Sequence, residues 1–204
     1  MGLYSRLIFP RACDFLMSGE RLWEARVELL SGTTGKILEI GFGTGLNLPH
    51  YPPATESITT VDVNPGMQVL AARRIEASSI AADVRVLDGE QLPMEDASFD
   101  SVVSTWTLCS IRNAEQALRE VFRVLKPGGR FFFLEHGLSH EPAVRRWQNA
   151  LTPVQRLVAD GCHLNRDMKG LIGGQGFQFR EASEFYMEGV PRPFGYTYRG
   201  VAGK

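Results

Sequence analysis

A buried strand that runs directly into a glycine-rich turn constrains this chain more than any other feature. Residues 37–40 (Ile-Leu-Glu-Ile) are followed by glycines at 41, 43 and 45. Glycines here permit positive φ angles and remove the β-carbons that would keep a ligand away from the backbone. Asp62 ends the next strand-like run, where its carboxylate can accept hydrogen bonds from both hydroxyls of a ribose. This order predicts the nucleoside-binding half of a doubly wound α/β fold.

The spacing of the glycines distinguishes between two kinds of cofactor. The dinucleotide fingerprint G-x-G-x-x-G carries its third glycine on the first turn of the following helix. Here the glycines alternate with other residues and Leu46 follows the last one, which argues against NAD or FAD and against a dinucleotide-dependent oxidoreductase. Glu39 precedes the turn, and the pattern E-x-G-x-G-x-G resembles the first motif of class I methyltransferases, which use S-adenosyl-L-methionine (SAM).

Length and composition indicate one globular domain and exclude several classes of protein. The chain has 204 residues, of which 44% are hydrophobic and 22% charged, as is ordinary for a single α/β domain. A net charge of −1 gives no electrostatic basis for nucleic-acid binding. No apolar run approaches the roughly 18 residues of a spanning helix. Residues 1–10 lack a signal-peptide core, so we expect a cytoplasmic protein.

The three cysteines, Cys13, Cys109 and Cys162, are odd in number and widely spaced. This distribution indicates a reducing compartment and no disulfide framework. It also lacks the paired spacing of zinc ligands, so the sequence predicts no metal site.

Alternating strand and helix patterns predict a parallel sheet over most of the chain. Strands are predicted over 36–41, 57–62, 84–87, 99–106 and 130–135. Two further strands, 177–186 and 194–202, are joined without a helix, which predicts an antiparallel hairpin at one edge. The predicted fold class is therefore α/β: a doubly wound Rossmann-like sheet of seven strands, mostly parallel with an antiparallel C-terminal hairpin, with helices on both faces.

Helix starts are predicted from capping residues and prolines. Asn64, which precedes a proline, and Asn113 are typical of N-caps. Pro142 and Pro153 are each expected at the first position of a short helix, and Asn165 is expected to cap a third.

The chain is predicted to form a single domain, 1–204. Its four parts are an N-terminal helical lid (1–31), a SAM-binding core (36–135), a helical lid insertion (136–176) and the C-terminal hairpin (177–204).

The N-terminal helix, predicted over 11–30 and open to a break at Ser18-Gly19, has three interpretations. As a lid, it would cover the cofactor pocket, with Tyr4 reaching the cofactor. Its apolar face, with arginines such as Arg21 and Arg26, would suit peripheral contact with a membrane surface, but interspersed acidic residues weaken that interpretation. The third interpretation is an ordinary helix packed on the core.

Four segments match class I methyltransferases in the order of that family. They are 39–45, 61–67, 88–93 and 124–129. The third, followed by 96–100, is similar to the ubiquinone/menaquinone-biosynthesis-type branch. Two later segments, 135–136 and 160–166, are similar to parts of the animal membrane-associated thiol methyltransferases and their small bacterial relatives.

The resemblance implies SAM as cofactor and S-adenosyl-L-homocysteine as product. The implied binding residues are Glu39, Gly41, Gly43, Gly45, Asp62, Met67, Asp88, Gly89, Thr105 and Trp106. The glycine turn would carry the methionine part of SAM, and Asp62 would bind the ribose. Met67 and Asp88 would contact the adenine, while Thr105 and Trp106 would line the methyl end.

Methyl transfer from a sulfonium is an in-line displacement, for which an enzyme supplies approach geometry and desolvation. An acceptor that is protonated at neutral pH can also need a base. His136, after the fifth strand, is the first candidate, and the thiol-enzyme resemblance adds His163 and Asp160. A structural hydrogen-bonding role is the alternative for each histidine.

The acceptor is expected to be a small molecule in an apolar pocket. Residues expected to line that pocket are Tyr4, Trp106, Trp147, Phe185, Tyr186 and Phe194. A thiol is the preferred acceptor. An amine or phosphatidylethanolamine head group comes next, and carbon methylation of a quinone precursor follows. A SAM-binding protein without catalysis is a further alternative, and the oligomeric state is left open.

Overall fold

A seven-stranded sheet forms the centre of this computed structural model, which describes residues 2–204. Its strands are β1 (Gly35–Ile40), β2 (Thr55–Asp62), β3 (Ala82–Val86), β4 (Phe99–Thr105), β5 (Leu125–His136), β6 (Gln178–Tyr186) and β7 (Tyr196–Gly203). Their order across the sheet is β3-β2-β1-β4-β5-β7-β6. Strands β1 to β5 are parallel, and β7 is antiparallel to both β5 and β6. The predicted fold class, including the edge hairpin, is confirmed.

Helices cover both faces of the sheet. They are α1 (Phe9–Met17), α2 (Glu20–Leu30), α3 (Pro65–Ala77), α4 (Ala114–Val124), α5 (Pro142–Val158), α6 (Met168–Gly173) and α7 (Arg192–Gly195). Successive residues of a strand point to opposite faces, so β5 contributes to two cores. Phe131 and Phe133 belong to the core that includes α4 and α6, whereas Phe132 and Leu134 belong to the core that includes α2 and α3.

Several local predictions from the sequence are confirmed. Asn64 and Asn113 cap α3 and α4, each accepting a backbone N–H through its side chain at 3.0 and 3.1 Å. The N-terminal helix is broken at Ser18-Gly19, between α1 and α2.

Pro153 does not start a helix, contrary to the prediction. It lies inside the 17-residue α5, which begins at Pro142 as expected. Val144, Gln148 and Thr152 form one buried face that continues through this part of the helix. Burial of that continuous face keeps the helix intact although proline removes one backbone donor.

Two further predictions near the C-terminus are wrong. Asp167, not Asn165, caps α6 by accepting the N–H of Gly170 at 3.0 Å. The side chain of Asn165 instead donates to Asn149 at 2.9 Å. The hairpin connection, expected to lack a helix, contains the short α7.

The carboxyl ends of β1, β2 and β4 meet at one edge of the sheet because parallel strands share a direction. A helical turn of π type (Tyr4–Ile8) and α1 lie against α3 at this edge. Within residues 2–204, no helix combines the length and the apolar character needed to cross a bilayer.

Candidate active site

A cavity of about 340 Å³ opens at the carboxyl ends of β1, β2 and β4. Predicted cofactor residues that line it are Gly41, Gly43, Asp62, Met67, Asp88, Gly89, Thr105 and Trp106. Predicted residues that are not part of its wall are Glu39, Gly45, Tyr4, His136 and His163. Among the three catalytic candidates, Asp160 alone lines the cavity.

The glycine turn after β1 packs closely on one side and leaves room on the other. Gly41, Gly43 and Gly45 have φ angles of 74°, 56° and 79°, which L-residues rarely adopt. A β-carbon at Gly41 would collide with Thr107, whereas one at Gly43 would have no neighbour nearer than 4.0 Å. At Gly45 it would lie 3.1 Å from the Phe42 ring. Gly43 therefore leaves the space for a ligand, and Gly45 serves packing.

Asp62 ends β2 with its carboxylate fixed at the cavity wall. Its Oδ2 accepts the N–H of Gly43 and its Oδ1 accepts the N–H of Asn64, both at 2.8 Å. Burial raises the pKa of this carboxyl, although the two hydrogen bonds act to lower it. Each carboxylate oxygen keeps acceptor capacity, so the group can still bind a pair of ligand hydroxyls.

Glu39 supports the cavity from behind rather than lining it. Its buried carboxylate accepts from Asn47 Nδ2 and from the Tyr51 hydroxyl, both at 2.7 Å. Asn47 lines the cavity and also donates to Thr105 Oγ1 at 2.9 Å. Burial raises the pKa of Glu39 to about 7 against the effect of its hydrogen bonds. Glu39 thus orients Asn47, a cavity residue that the sequence analysis missed.

Asp88 combines a turn-forming role with a place at the cavity wall. Its Oδ1 accepts the N–H of Glu90 at 3.0 Å, which is the local hydrogen bond typical of an Asx turn. A β-carbon at Gly89 would lie 3.0 Å from Ile40, so glycine allows close packing there. Met67, on α3, lines the same cavity.

A buried arginine that was not predicted as a site residue also lines the cavity. Arg26, on α2, is 5% exposed, and its guanidinium lies 4.7 Å from the centre of the Trp106 ring. Nη1 donates to the Met17 carbonyl at 2.9 Å, and Nε has no partner within residues 2–204. Burial lowers the pKa to about 10, so the group is charged at neutral pH. Such a cation suits an anionic ligand group.

Two residues at the cavity wall have strained backbones. Trp106 and Asp160 have φ angles of 48° and 45°, in a region that non-glycine residues rarely occupy. Strain of this kind clusters at functional sites. The Trp106 conformation is held by a 2.7 Å hydrogen bond from its N–H to the Leu134 carbonyl.

The N-terminal segment forms one side of the cavity wall. Its wall residues include Phe9, Cys13 and Met17. Asp14 accepts from Arg74 Nη1 at 2.9 Å and from Thr44 Oγ1 at 2.5 Å, which joins α1 to α3 and to the glycine turn. Farther towards the N-terminus, Ser5 Oγ donates to the Asp160 carboxylate at 2.9 Å.

Most of the aromatic residues expected around the acceptor lie elsewhere. Tyr4 does not line the cavity, because its hydroxyl donates to the Val158 carbonyl on α5 at 2.7 Å. Trp147, also on α5, is 62% exposed. Phe185, Tyr186 and Phe194 belong to the hairpin region, which β5 separates from β4. Of the expected set, the cavity is lined only by Trp106.

Neither candidate histidine faces the cavity. His136 Nδ1 lies 3.7 Å from Cys162 Sγ, because the side chain turns from the end of β5 towards the loop after α5. His163 Nδ1 lies 3.2 Å from the Cys109 carbonyl, and burial lowers the pKa of this histidine. The hydrogen bond between the Cys162 and Cys109 thiols, together with the neighbouring His136, lowers the pKa of the Cys162 thiol. The candidate for a base at the cavity is therefore Asp160.

Glu135 anchors the loop that follows β4. Its buried carboxylate accepts from Ser104 Oγ at 2.7 Å and from the N–H groups of Thr107, Leu108 and Cys109 at 3.1, 3.1 and 3.2 Å. Burial raises its pKa, while these hydrogen bonds lower it. This residue fixes one wall of the cavity, a role that its sequence position did not predict.

Comparison with known proteins identifies related sequences. Residues 38–133 match a protein family described as methyltransferase domain. The chain is 35% identical to thiol S-methyltransferase TMT1B of Rattus norvegicus over 192 residues, 90% of this chain and 75% of that protein. It is 37% identical to thiol S-methyltransferase TMT1A of Homo sapiens over 158 residues, 74% of this chain and 64% of that protein.

A shorter match is to ubiquinone/menaquinone biosynthesis C-methyltransferase UbiE of Geotalea daltonii. The two sequences are 37% identical over 106 residues, which are 50% of this chain and 45% of UbiE.

Solved structures share the fold at low sequence identity. A SAM-dependent methyltransferase from Aquifex aeolicus superposes with a TM-score of 0.66 at 17% identity, over 95% of this chain and 97% of its own. Phosphoethanolamine N-methyltransferase 2 of Haemonchus contortus, in complex with phosphomonomethylethanolamine and S-adenosylhomocysteine, has a TM-score of 0.67 at 21% identity. That superposition covers 86% of this chain and 43% of the other.

The sequence matches, the sheet order and the glycine turn agree with one another. They are inconsistent with the alternative of a dinucleotide-dependent oxidoreductase. The chain therefore belongs to the class I methyltransferases, enzymes that use SAM as their cofactor.

Proposed function

We propose that this enzyme transfers the methyl group of SAM to the sulfur of a small, largely apolar thiol. The observation that carries the proposal is the extent of the similarity to TMT1B, which spans 192 residues. Matches to UbiE proteins of several bacteria span 106 to 135 residues. The longer alignment extends well beyond the core at 38–133, into segments that vary with substrate in a shared fold.

The cavity offers polar groups for the ribose and for the amino-acid part of SAM, and it offers space next to the glycine turn. Gly43 leaves open space, and Asp62 offers carboxylate oxygens for the ribose hydroxyls. Arg26 supplies a cation for the methionine carboxylate. Asn47 Oδ1, which has no partner within residues 2–204, supplies an acceptor for the ammonium group. SAM carries its methyl group on a positively charged sulfur. These residues would bind the groups of SAM on either side of that sulfur.

Asp88, Gly89 and Met67 complete the proposed cofactor site at the adenine. All three line the cavity. Asp88 would accept from the adenine amino group, and Met67 would pack beside the ring.

The part of the wall formed by α1 favours an apolar acceptor. Phe9 and Met17 line it, and Trp106 is also part of the cavity wall. Cys13 is also in this wall, and burial raises the pKa of its thiol to about 11. The protonated Cys13 thiol is a weak nucleophile, so it does not compete with the acceptor for the methyl group.

Asp160 is the proposed proton acceptor for the thiol. It lines the cavity, and its carboxylate is held by Ser5 Oγ at 2.9 and 3.0 Å. Even a cysteine thiol, with a pKa of about 8.5, is only a few per cent ionised at pH 7. A carboxylate beside the acceptor would assist deprotonation of the remainder.

Carbon methylation of a quinone precursor is the second candidate, favoured by the 37% identity to UbiE. Methylation of an amine or of phosphatidylethanolamine is the third. Leu7 and Phe15 of the N-terminal segment are exposed, as is Leu157 on α5. These side chains suit an apolar surface, so peripheral membrane contact stays a prediction attached to the lipid alternative.

An acceptor panel tests the proposal. SAM with a labelled methyl group is incubated with a small alkyl thiol, with phosphatidylethanolamine vesicles, and with a demethylated quinol. Transfer to the thiol is expected, and the Asp62→Ala variant should remove it by removing the cofactor. Transfer only to the lipid or only to the quinol would contradict the thiol proposal. SAM binding without transfer to any of them would also contradict it.

A further inference from the structure

Three potential metal ligands converge behind the cavity from separate parts of the chain. Cys109 lies in the loop after β4, His136 ends β5, and Cys162 lies in the loop after α5. One ligand atom from each, two Sγ and one histidine ring nitrogen, lie within 4.8 Å of one another. Both cysteines are buried and free. The proposed methyl transfer makes no use of these three side chains.

Two of the three distances between the ligand atoms are close to those around a tetrahedral metal ion. The two Sγ atoms are 3.5 Å apart, and Cys162 Sγ is 3.7 Å from His136 Nδ1. Tetrahedral zinc with ordinary bond lengths separates two sulfurs by about 3.8 Å, and a sulfur and a nitrogen by about 3.6 Å. A disulfide would need the two sulfurs at about 2.05 Å. The arrangement therefore suits a metal ion without a large movement of the side chains.

The surrounding backbone holds the ligands in place. The N–H of Cys109 donates to Glu135 at 3.2 Å, and the N–H of His163 donates to the Cys109 carbonyl at 2.8 Å. These bonds tie the loop after β4 to the end of β5 and to the loop after α5, so the position of the ligands does not depend on a single loop. Such preorganisation is what a metal site requires.

We propose that Cys109, His136 and Cys162 bind one divalent cation of the borderline-soft class, with Zn²⁺ as its representative. A set of two thiolates and one imidazole binds Zn²⁺ in preference to harder cations such as Mg²⁺ or Ca²⁺. Three protein ligands leave a fourth position for solvent or a small ligand. Ser110, which lines the cavity, has its Oγ 3.7 Å from Cys109 Sγ. The ion would therefore lie directly behind the cavity wall and join the loop after α5 to the sheet.

Cobalt titration tests the site without depending on activity. Reduced, chelator-treated protein is titrated with Co²⁺ in the absence of oxygen, after a thiol assay has confirmed free cysteines. One equivalent per chain should produce a sulfur-to-cobalt charge-transfer band and the visible bands of tetrahedral Co²⁺, and Zn²⁺ should displace it. No saturable band in this wild-type protein would overturn the proposal, whatever the variants do.

Matched variants locate the ion. Cys162→Ser should weaken or lose the sulfur-to-cobalt charge-transfer band. His136→Asn should lose the visible bands of tetrahedral Co²⁺. Cys13→Ser and His140→Asn should keep both, because Cys13 lies at the cavity and His140 Nδ1 contacts the Tyr196 hydroxyl at 2.7 Å. Circular dichroism checks that each variant is folded. An unchanged spectrum and stoichiometry in folded Cys162→Ser would place the ion elsewhere and overturn the assignment.

Discussion

Gly43 and Gly128 allow steric blocking of the cavity to be separated from backbone strain. Both have left-handed backbones, with φ angles of 56° and 78°. A β-carbon at Gly128 would have no neighbour within 4 Å, and one at Gly43 would have only the Gly41 carbonyl, at 4.0 Å. Gly43 lines the cavity, whereas Gly128 lies near the start of β5, outside the cavity wall. Alanine at either position thus adds the same methyl group to a similar backbone.

The expected stability changes follow from that similarity. Holding an L-residue in the left-handed region costs about 1–2 kcal/mol. For a chain of this size, that loss lowers the melting temperature by about 2–8 °C. Gly43→Ala and Gly128→Ala should therefore be destabilised to a similar degree, and both should remain folded.

SAM affinity should separate the two variants. The methyl group of Gly43→Ala occupies space where the ligand approaches the backbone, and overpacking of this kind costs about 1–3 kcal/mol. The dissociation constant should rise by about 5- to 150-fold, while that of Gly128→Ala should match the wild type. Isothermal titration calorimetry measures both, with thermal unfolding as the fold control. Equal SAM affinity in the two variants would refute the placement of SAM over Gly43.

Three further predictions concern buried polar groups. Arg26→Gln should weaken SAM binding by about 10- to 150-fold, through loss of a charged hydrogen bond worth about 1.5–3 kcal/mol. Arg21→Gln, at an exposed position of the same helix, should leave SAM affinity unchanged. A similar loss of SAM affinity in both variants would contradict the role of Arg26. Asp62→Ala should abolish SAM binding and retain a native circular dichroism spectrum; unchanged affinity would remove the ribose assignment. Glu39, whose pKa is raised by burial from 4.5 to about 7, binds protons more tightly when folded. The free energy of unfolding should therefore fall by up to about 3 kcal/mol as pH rises from about 4.5 to 7. Urea unfolding of Glu39→Gln should show no such decrease. The same pH dependence in the variant and in the wild type would contradict the assignment to Glu39.

The parts of the site that were predictable from sequence depend on short-range patterns. The glycine turn and Asp62 lie at the ends of recognisable strands, and topology alone places them together. Asn64 and Asn113 act within a few residues of their own positions. Such features need no knowledge of tertiary packing.

The missed features depend on long-range contacts. Arg26 reads as one of several helix arginines, and only the packing of α2 across the cavity buries it. Pro153 reads as a helix start, but burial of a continuous face keeps α5 intact. The Cys109–His136–Cys162 cluster has no local spacing because its members come from three separate segments. Tertiary contacts also direct His136 towards Cys162 rather than towards the cavity.

The most direct test of the account is a single reaction containing the enzyme, SAM and a small alkyl thiol. S-adenosylhomocysteine and methyl thioether are quantified together by mass spectrometry. We expect equal amounts of the two products, formation that depends on the thiol, and no product with Asp62→Ala. Two results would contradict thiol methylation. One is formation of S-adenosylhomocysteine at the same rate when the thiol is left out, and the other is its formation with no thioether product.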